Sequence, residues 1–242
     1  MPSRRVVSRF PAGRQQKGVA MKPSIVVFDV NETLSDLSAL SAKFTQAGAP
    51  AFLAKVWFAG LLRDGFALAA AGNNEKFARI AAESLGGLLQ DAPLNRDLDE
   101  AVQHIMDGFS ALSLHPDVAE GISALRGAGL RLVTLSNGSA DVARNLLGSA
   151  GLLEQFEHLL SVEDAPAWKP ARAAYDYAAW VCETDPDQMI LVAVHPWDIH
   201  GAKRAGLQTA WLNRSGVDYP GYFEAPDYTI TSLDELATAL AR

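Results

Sequence analysis

Cysteine is almost missing from this chain: Cys182 stands alone in 242 residues. No disulfide can therefore close within it, and such usage suits a reducing cytoplasm. No apolar run approaches the roughly 18–20 residues that a membrane-spanning helix needs. Positive charge is in deficit, with 21 Lys and Arg against 28 Asp and Glu and a net charge of −7. That balance argues against nucleic acid or an anionic membrane as partner. Internal repeats and low-complexity tracts are absent, which sets solenoids and arrays aside. His104, His115, His158 and His200 have no metal-ligand spacing and receive no role.

What is present fits one large domain, or a core carrying a smaller inserted domain. Hydrophobic residues make up 49% and charged residues 20%, which allows a sizeable core. The first 20 residues differ. MPSRRVVSRFPAGRQQKGVA holds five basic residues and no acid. It lacks the continuous apolar stretch of a secretory signal. A transit-like basic arm is one reading; a disordered extension ahead of a domain starting near Met21 is the preferred one.

Ser24–Phe28 is short, apolar and β-branched, as a buried strand should be. From Ala39 to about Phe109, Ala, Leu and Phe recur at three- and four-residue spacings, broken by Gly, Pro and Asn. That spacing predicts helices and no convincing strand. Strand and helix then alternate. Strands are expected at Leu130–Leu135, Glu157–Ser161, Met189–Val194, Thr209–Leu212 and Tyr228–Ile230, with helices between and after them. Alternation implies a parallel sheet with helices on both faces. The fold class is thus α/β, a Rossmann-like core of residues 21–36 and 116–242, with an inserted all-helical cap at 37–115.

In such sheets ligands bind at the C-terminal ends of the strands. Asp29 and Thr33 follow the first strand. Ser136, Asn137 and Gly138 end the second, Lys169 precedes a helix, and His195, Trp197 and Asp198 follow a later strand. The residue types allow a definite chemistry. Asp29 can act as a nucleophile. Lys169 would keep it ionised, because a nearby cation favours the charged form. Thr33 can fix it by a hydrogen bond. Ser136 and the turn before a helix offer an anion site. Asp198 is suited to orient Lys169 or to activate water. Each residue taken alone has a plainer reading: Asp29 and Asp198 as helix caps, Ser136–Gly138 as a turn, Lys169 as a solvated surface cation. The joint order is what favours the chemical reading.

In that order the residues resemble the haloacid dehalogenase superfamily from Ser24 to the C-terminus. The motifs are Asp29–Thr33, Ser136–Gly138, Lys169–Pro170 and His195–Asp198. Phosphatases of this superfamily carry a second Asp two residues after the nucleophile and an acidic pair near the fourth motif for Mg²⁺. Here Asn31 takes the first position, and only Asp198 stands near the fourth motif. The chain is more similar to the L-2-haloacid dehalogenase branch, through Leu135–Ser139, Tyr175, Trp197–Asp198, Gly201–Ala202 and Trp211–Arg214.

That resemblance implies a metal-independent, cofactor-free hydrolysis of a small halogenated carboxylate through an ester on Asp29. Thr33, Lys169 and Asp198 support the nucleophile, and Ser136, Asn137 and Tyr175 hold the substrate carboxylate. It also implies a homodimer. The family's halide-binding Arg on the cap helix falls on Phe58 here. Arg63, five residues on, either replaces it or faces solvent. His195 either binds the departing halide, positions water or is structural. Trp197 and Phe58 either line the pocket or belong to the core. Trp57, Leu61, Leu62 and Phe66 read as the cap's inner face. Cys182 falls on the buried face of its helix and reads as packing. The alternatives are a phosphatase or strained-ring hydrolase of the same superfamily, or a non-catalytic binding protein on its scaffold.

Overall fold

A computed structural model describes residues 22–241. The basic stretch 1–20 lies outside the described residues. Strand β1 (Ile25–Phe28) is fully buried. Its side chains alternate between two cores, as strand geometry requires. Ile25 and Val27 point into one hydrophobic cluster, Val26 and Phe28 into the other. A strand apolar on both faces has to sit inside a covered sheet.

The chain then forms a two-residue strand, β2 (Ser35–Asp36), and four helices: α1 (Leu40–Gln46), α2 (Leu53–Ala70), α3 (Phe77–Leu89) and α4 (Leu98–Ser110). It returns through β3 (Ser113–Leu114). Contrary to the purely helical expectation for this stretch, β2 and β3 pair antiparallel, with Ser35 opposite Leu114 and Asp36 opposite Ser113. His115 N–H donates to the Leu34 carbonyl at 2.9 Å and extends the clamp. The helical insert therefore leaves and rejoins the core at one place.

The core follows as α5 (Val118–Gly127), β4 (Arg131–Ser136), α6 (Ala140–Ser149), β5 (His158–Ser161), α7 (Arg172–Val181), β6 (Met189–Ala193), α8 (Pro196–Ala205), β7 (Gln208–Leu212), β8 (Tyr228–Ile230) and α9 (Leu233–Leu240). The six strands order β5-β4-β1-β6-β7-β8, and every pairing is parallel. β1 lies at the centre, with β4 on one side and β6 on the other. Chain direction diverges there, and the crevice opens at the C-terminal ends of those three strands.

The insert's apolar side belongs to the same hydrophobic cluster as Ile25 and Val27. Within it, Trp57 is buried, donates Nε1–H to the Ala81 carbonyl at 3.0 Å, and meets Phe109 edge-on at 5.8 Å. Burying an aromatic side chain of this size stabilises by about 1.5–3 kcal/mol. The insert also grips the loop before α7. Asn74 donates to the Val162 and Ala165 carbonyls, and Trp168 Nε1–H donates to the Glu75 carbonyl. Gly65 lets α2 touch the Trp168 ring, since a Cβ there would lie 2.3 Å from a ring carbon. Among the described residues no helix is long and apolar enough to cross a membrane.

Candidate active site

Asp29 is the first residue beyond β1, and its N–H donates to Val192 of β6 at 3.0 Å. A tight turn over residues 31–34 follows, closed by Leu34 N–H to the Val30 carbonyl at 2.9 Å. Turning back at once aims Thr33 at the nucleophile. Thr33 Oγ1–H donates to Asp29 Oδ2 at 2.6 Å and accepts from Val194 N–H at 3.1 Å. Glu32, inside the turn, has φ of 62°. That left-handed conformation is costly for a residue with a Cβ.

Lys169 reaches the same spot from the loop before α7 and is wholly buried. Its Nζ donates to Asp29 Oδ1 at 2.9 Å and to Asp198 Oδ2 at 2.6 Å. Asp198 sits in the first turn of α8, where the helix dipole favours an anion. Tyr175, on α7, donates its O–H to Asp198 Oδ1 at 2.6 Å. Gly201 makes that approach possible: a Cβ there would lie 2.5 Å from the Tyr175 oxygen and 2.6 Å from Pro170. The result is a buried chain running Thr33, Asp29, Lys169, Asp198, Tyr175.

The electrostatics follow from burial and from that chain. Burial alone would push the Asp29 carboxyl up. The Lys169 and His195 charges and the Thr33 and Lys169 hydrogen bonds outweigh it and hold Asp29 below its ordinary value. Asp29 is therefore an anion at neutral pH, as a nucleophile must be. Burial would likewise lower Lys169, but the Asp198 and Asp29 charges raise it above its ordinary value. Asp198 goes up, because burial and the Asp29 charge exceed what Lys169 and Tyr175 return. Glu32 also rises, through burial and the Asp29 charge.

His195 lies just before α8, at the mouth of the site. Its Nε2 is 3.2 Å from the Asn31 carbonyl, 3.7 Å from Asp29 Oδ2 and 3.6 Å from a Glu32 carboxylate oxygen. Of these, only the Asn31 carbonyl is within hydrogen-bond range, and because a carbonyl can only accept, that contact assigns a proton to Nε2. The ring stacks on Trp197 at 5.0 Å and on Phe58 at 6.4 Å. Phe66 meets Trp197 edge-on at 4.9 Å. Outside lies an open cleft of about 740 Å³, lined by Glu32, Lys55, Phe58, His195, Trp211 and Arg214 among others.

The structure thus brings Asp29, Thr33, Lys169, Asp198, Ser136, Asn137, Tyr175, His195, Trp197 and Phe58 together. Three expectations change. Arg63 is not at the site: its side chain is 75% exposed and pairs with Asp64 at 2.8 Å. Tyr175 is wholly buried with its hydroxyl spent on Asp198, so it orients that carboxylate instead of holding substrate. Asn137 clamps the main chain of Lys169, accepting from its N–H at 3.0 Å and donating to its carbonyl at 3.2 Å. Its amide sets the position of the lysine. Ser136 keeps its hydroxyl at the end of β4, where Oγ accepts from Gly138 N–H at 2.9 Å.

Sequence reasoning missed Arg214 as a part of the site's frame. Its guanidinium donates to the Thr33 carbonyl at 2.9 and 3.2 Å and to Asp117 Oδ1 at 2.8 Å. It ties the nucleophile turn to the start of α5. The Trp211–Arg214 stretch carried part of the resemblance, but nothing in the sequence showed what the guanidinium holds. Among the described residues, no group of three or more His, Cys, Asp or Glu could hold a metal ion.

Known proteins resemble this chain in sequence and in fold. A family model described as haloacid dehalogenase-like hydrolase matches residues 23–206. Haloacetate dehalogenase H-2 of Moraxella sp. (strain B) is 28% identical over 222 residues, spanning 91% of this chain and 99% of that protein. A solved dehalogenase in an intermediate complex superposes with a TM-score of 0.85 at 26% identity, covering 93% of this chain and 100% of the other. The L-2-haloacid dehalogenase of Xanthobacter autotrophicus with chloropropionic acid covalently bound gives 0.79 at 25% identity, covering 90% and 98%. The chain belongs to the haloacid dehalogenase-like hydrolases, in their L-2-haloacid dehalogenase branch.

Proposed function

We propose that the protein hydrolyses the carbon–halogen bond of a small 2-haloalkanoic acid, a haloacetate or an L-2-haloacid. The observation that carries this is the ionised, buried Asp29 held on both oxygens, by Lys169 at 2.9 Å and Thr33 at 2.6 Å. Such a carboxylate is poor as an acid or base but ready as a nucleophile in a site that excludes water. An Asp29 oxygen attacks the α-carbon, and the bonding pair of the carbon–halogen bond leaves with the halide. Water then adds to the Asp29 carbonyl carbon. The ester opens, a 2-hydroxy acid departs, the Asp29 carboxylate returns, and one proton goes to solvent.

The first step needs no proton for a chloride leaving group, which fits Asn31 at the place where an acid would otherwise stand. Lys169 and Thr33 stabilise the charge that builds on Asp29 during the second step, as preorganised donors do. Asp198, oriented by Tyr175, holds Lys169. The proton-bearing Nε2 of His195 serves the departing halide, with Phe58 and Trp197 as walls around a small substrate. Residues 37–115 act as a cap over this pocket. A homodimer and a cytoplasmic location belong to the same reading, as do independence of metal and cofactor.

The test is halide release from chloroacetate and L-2-chloropropionate in EDTA, beside a phosphomonoester panel with Mg²⁺. Halide in EDTA supports the proposal; phosphate release alone refutes it. A single turnover in ¹⁸O-water should leave the first product unlabelled, because that oxygen comes from Asp29.

A further inference from the structure

With Tyr175 and Asn137 committed elsewhere, the substrate carboxylate needs other donors. Asn31 supplies the missing group. It is 6% exposed, and its backbone carbonyl faces His195 Nε2 at 3.2 Å. Its side-chain amide makes no hydrogen bond to any described residue. The residue is more than nine-tenths buried, yet its amide is not sealed off among the described residues, so it faces the crevice with its hydrogen-bonding capacity open to a ligand.

Its position can be read from Gly138. A Cβ built there would lie 3.4 Å from Asn31 Nδ2 and 3.2 Å from Ser136 Oγ. The amide, the hydroxyl and the backbone at Gly138 therefore surround one small space. That space adjoins the N-terminus of α6, whose free N–H groups favour an anion. Asn31 stands two residues beyond the nucleophile Asp29 in the chain.

We infer that Asn31 Nδ2 donates directly to the substrate carboxylate, completing with Ser136 and the α6 N-terminus a cradle that sets specificity for carboxylates. This deepens the proposed function and rests on it for the identity of the substrate. The carboxylate contact itself is testable without turnover. Asn31 then has a positive part: its N–H bonds a carboxylate more strongly than a neutral carbonyl, because the charged acceptor strengthens the bond about twofold.

The experiment is calorimetric titration of the full-length protein with propionate and with propionamide. Wild type, Asn31→Ala and Asn31→Asp are compared, each checked for an unchanged circular dichroism spectrum. A hydrogen bond to a charged group predicts propionate binding weaker by about 10- to 100-fold in Asn31→Ala. Asn31→Asp, equal in shape but anionic, should bind it more weakly still at pH 8 and recover as the pH falls. Propionamide should bind weakly to all three proteins and change little among them. Propionate affinity unchanged in both variants overturns the inference, as does a wild type that binds propionate no better than propionamide. These results stand whether or not halide is released, so failure of the dehalogenase reading shows separately in the turnover assay. On active enzyme, Asn31→Ala should raise KM for chloroacetate by a similar factor and leave kcat within about threefold, as lost uniform binding does. A fall in kcat at constant KM would overturn it too.

Discussion

Lys169→Met removes one charge and shortens the side chain by a single heavy atom. In the native protein that ammonium is wholly buried and serves two carboxylates, at 2.9 and 2.6 Å. Breaking a buried ion pair by deleting one partner costs about 3–5 kcal/mol. Here two carboxylates lose their cation, but Thr33 still donates to one and Tyr175 to the other. Protonation of either carboxyl also limits the penalty, so about 4 kcal/mol at pH 8 is a fair expectation. For a chain of this size each kcal/mol moves Tm by about 2–4 °C, which gives a fall of about 8–16 °C.

The pH dependence has a definite sign. In wild type the Asp29 pKa is depressed from 3.8, so its stabilisation is present above that value and is lost as the pH falls through the folded one. The Lys169 pKa is raised from 10.5, so its contribution is full below that value and is lost only as the pH rises through the folded one. Without the ammonium both carboxyls move upward, and the penalty then grows as the pH climbs above 3.8. The variant's deficit in Tm should be smaller at pH 5 than at pH 8, read by scanning calorimetry. Halide release at pH 8 should fall by at least about 10²-fold, because the nucleophile loses its ionised form and a preorganised donor. A Tm within about 3 °C of wild type at pH 8 would refute the reasoning. So would a deficit as large at pH 5 as at pH 8.

Other expectations are simpler. Tyr175→Phe should lower stability by about 1.5–3 kcal/mol in urea titrations, because a buried carboxylate loses a donor. Propionate affinity should not change, since the hydroxyl faces Asp198 and not the substrate. Arg63→Ala should leave kcat/KM for chloroacetate within about twofold, as an exposed surface pair contributes little. Gly65→Ala should destabilise by about 1–3 kcal/mol through its clash with Trp168. A variant as stable as wild type in urea would show that α2 can shift away from that ring.

Much of the core was legible in the sequence because its strands are apolar on both faces and end in polar groups. Asp29, Lys169 and Asp198 could be read as one constellation from order alone, and they meet within 3 Å contacts. What could not be read was how each polar atom is used. Nothing in a sequence tells whether Tyr175 turns its hydroxyl to a substrate or to Asp198. Arg63 was left open between the pocket and solvent, and helix geometry decides it. Five residues along a helix turn by about 140° beyond a full revolution, so a residue that far from Phe58 faces away from the pocket. β2 and β3 escaped notice because two residues each carry no periodicity. Their pairing is fixed by the chain ends of the insert, not by pattern. Asn31 was visible only as a missing acid, since an amide's free valence appears only when its neighbours are known.

The short β2–β3 ribbon has an evolutionary consequence. Directly opposed residues in such a pair lie about 5 Å apart, the span of a tight turn. Everything between Asp36 and Ser113 is thus attached to the sheet like a word in parentheses, opened and closed at one place. Insertions and deletions inside that stretch therefore leave both of its ends, and the strand ends beside them, in place.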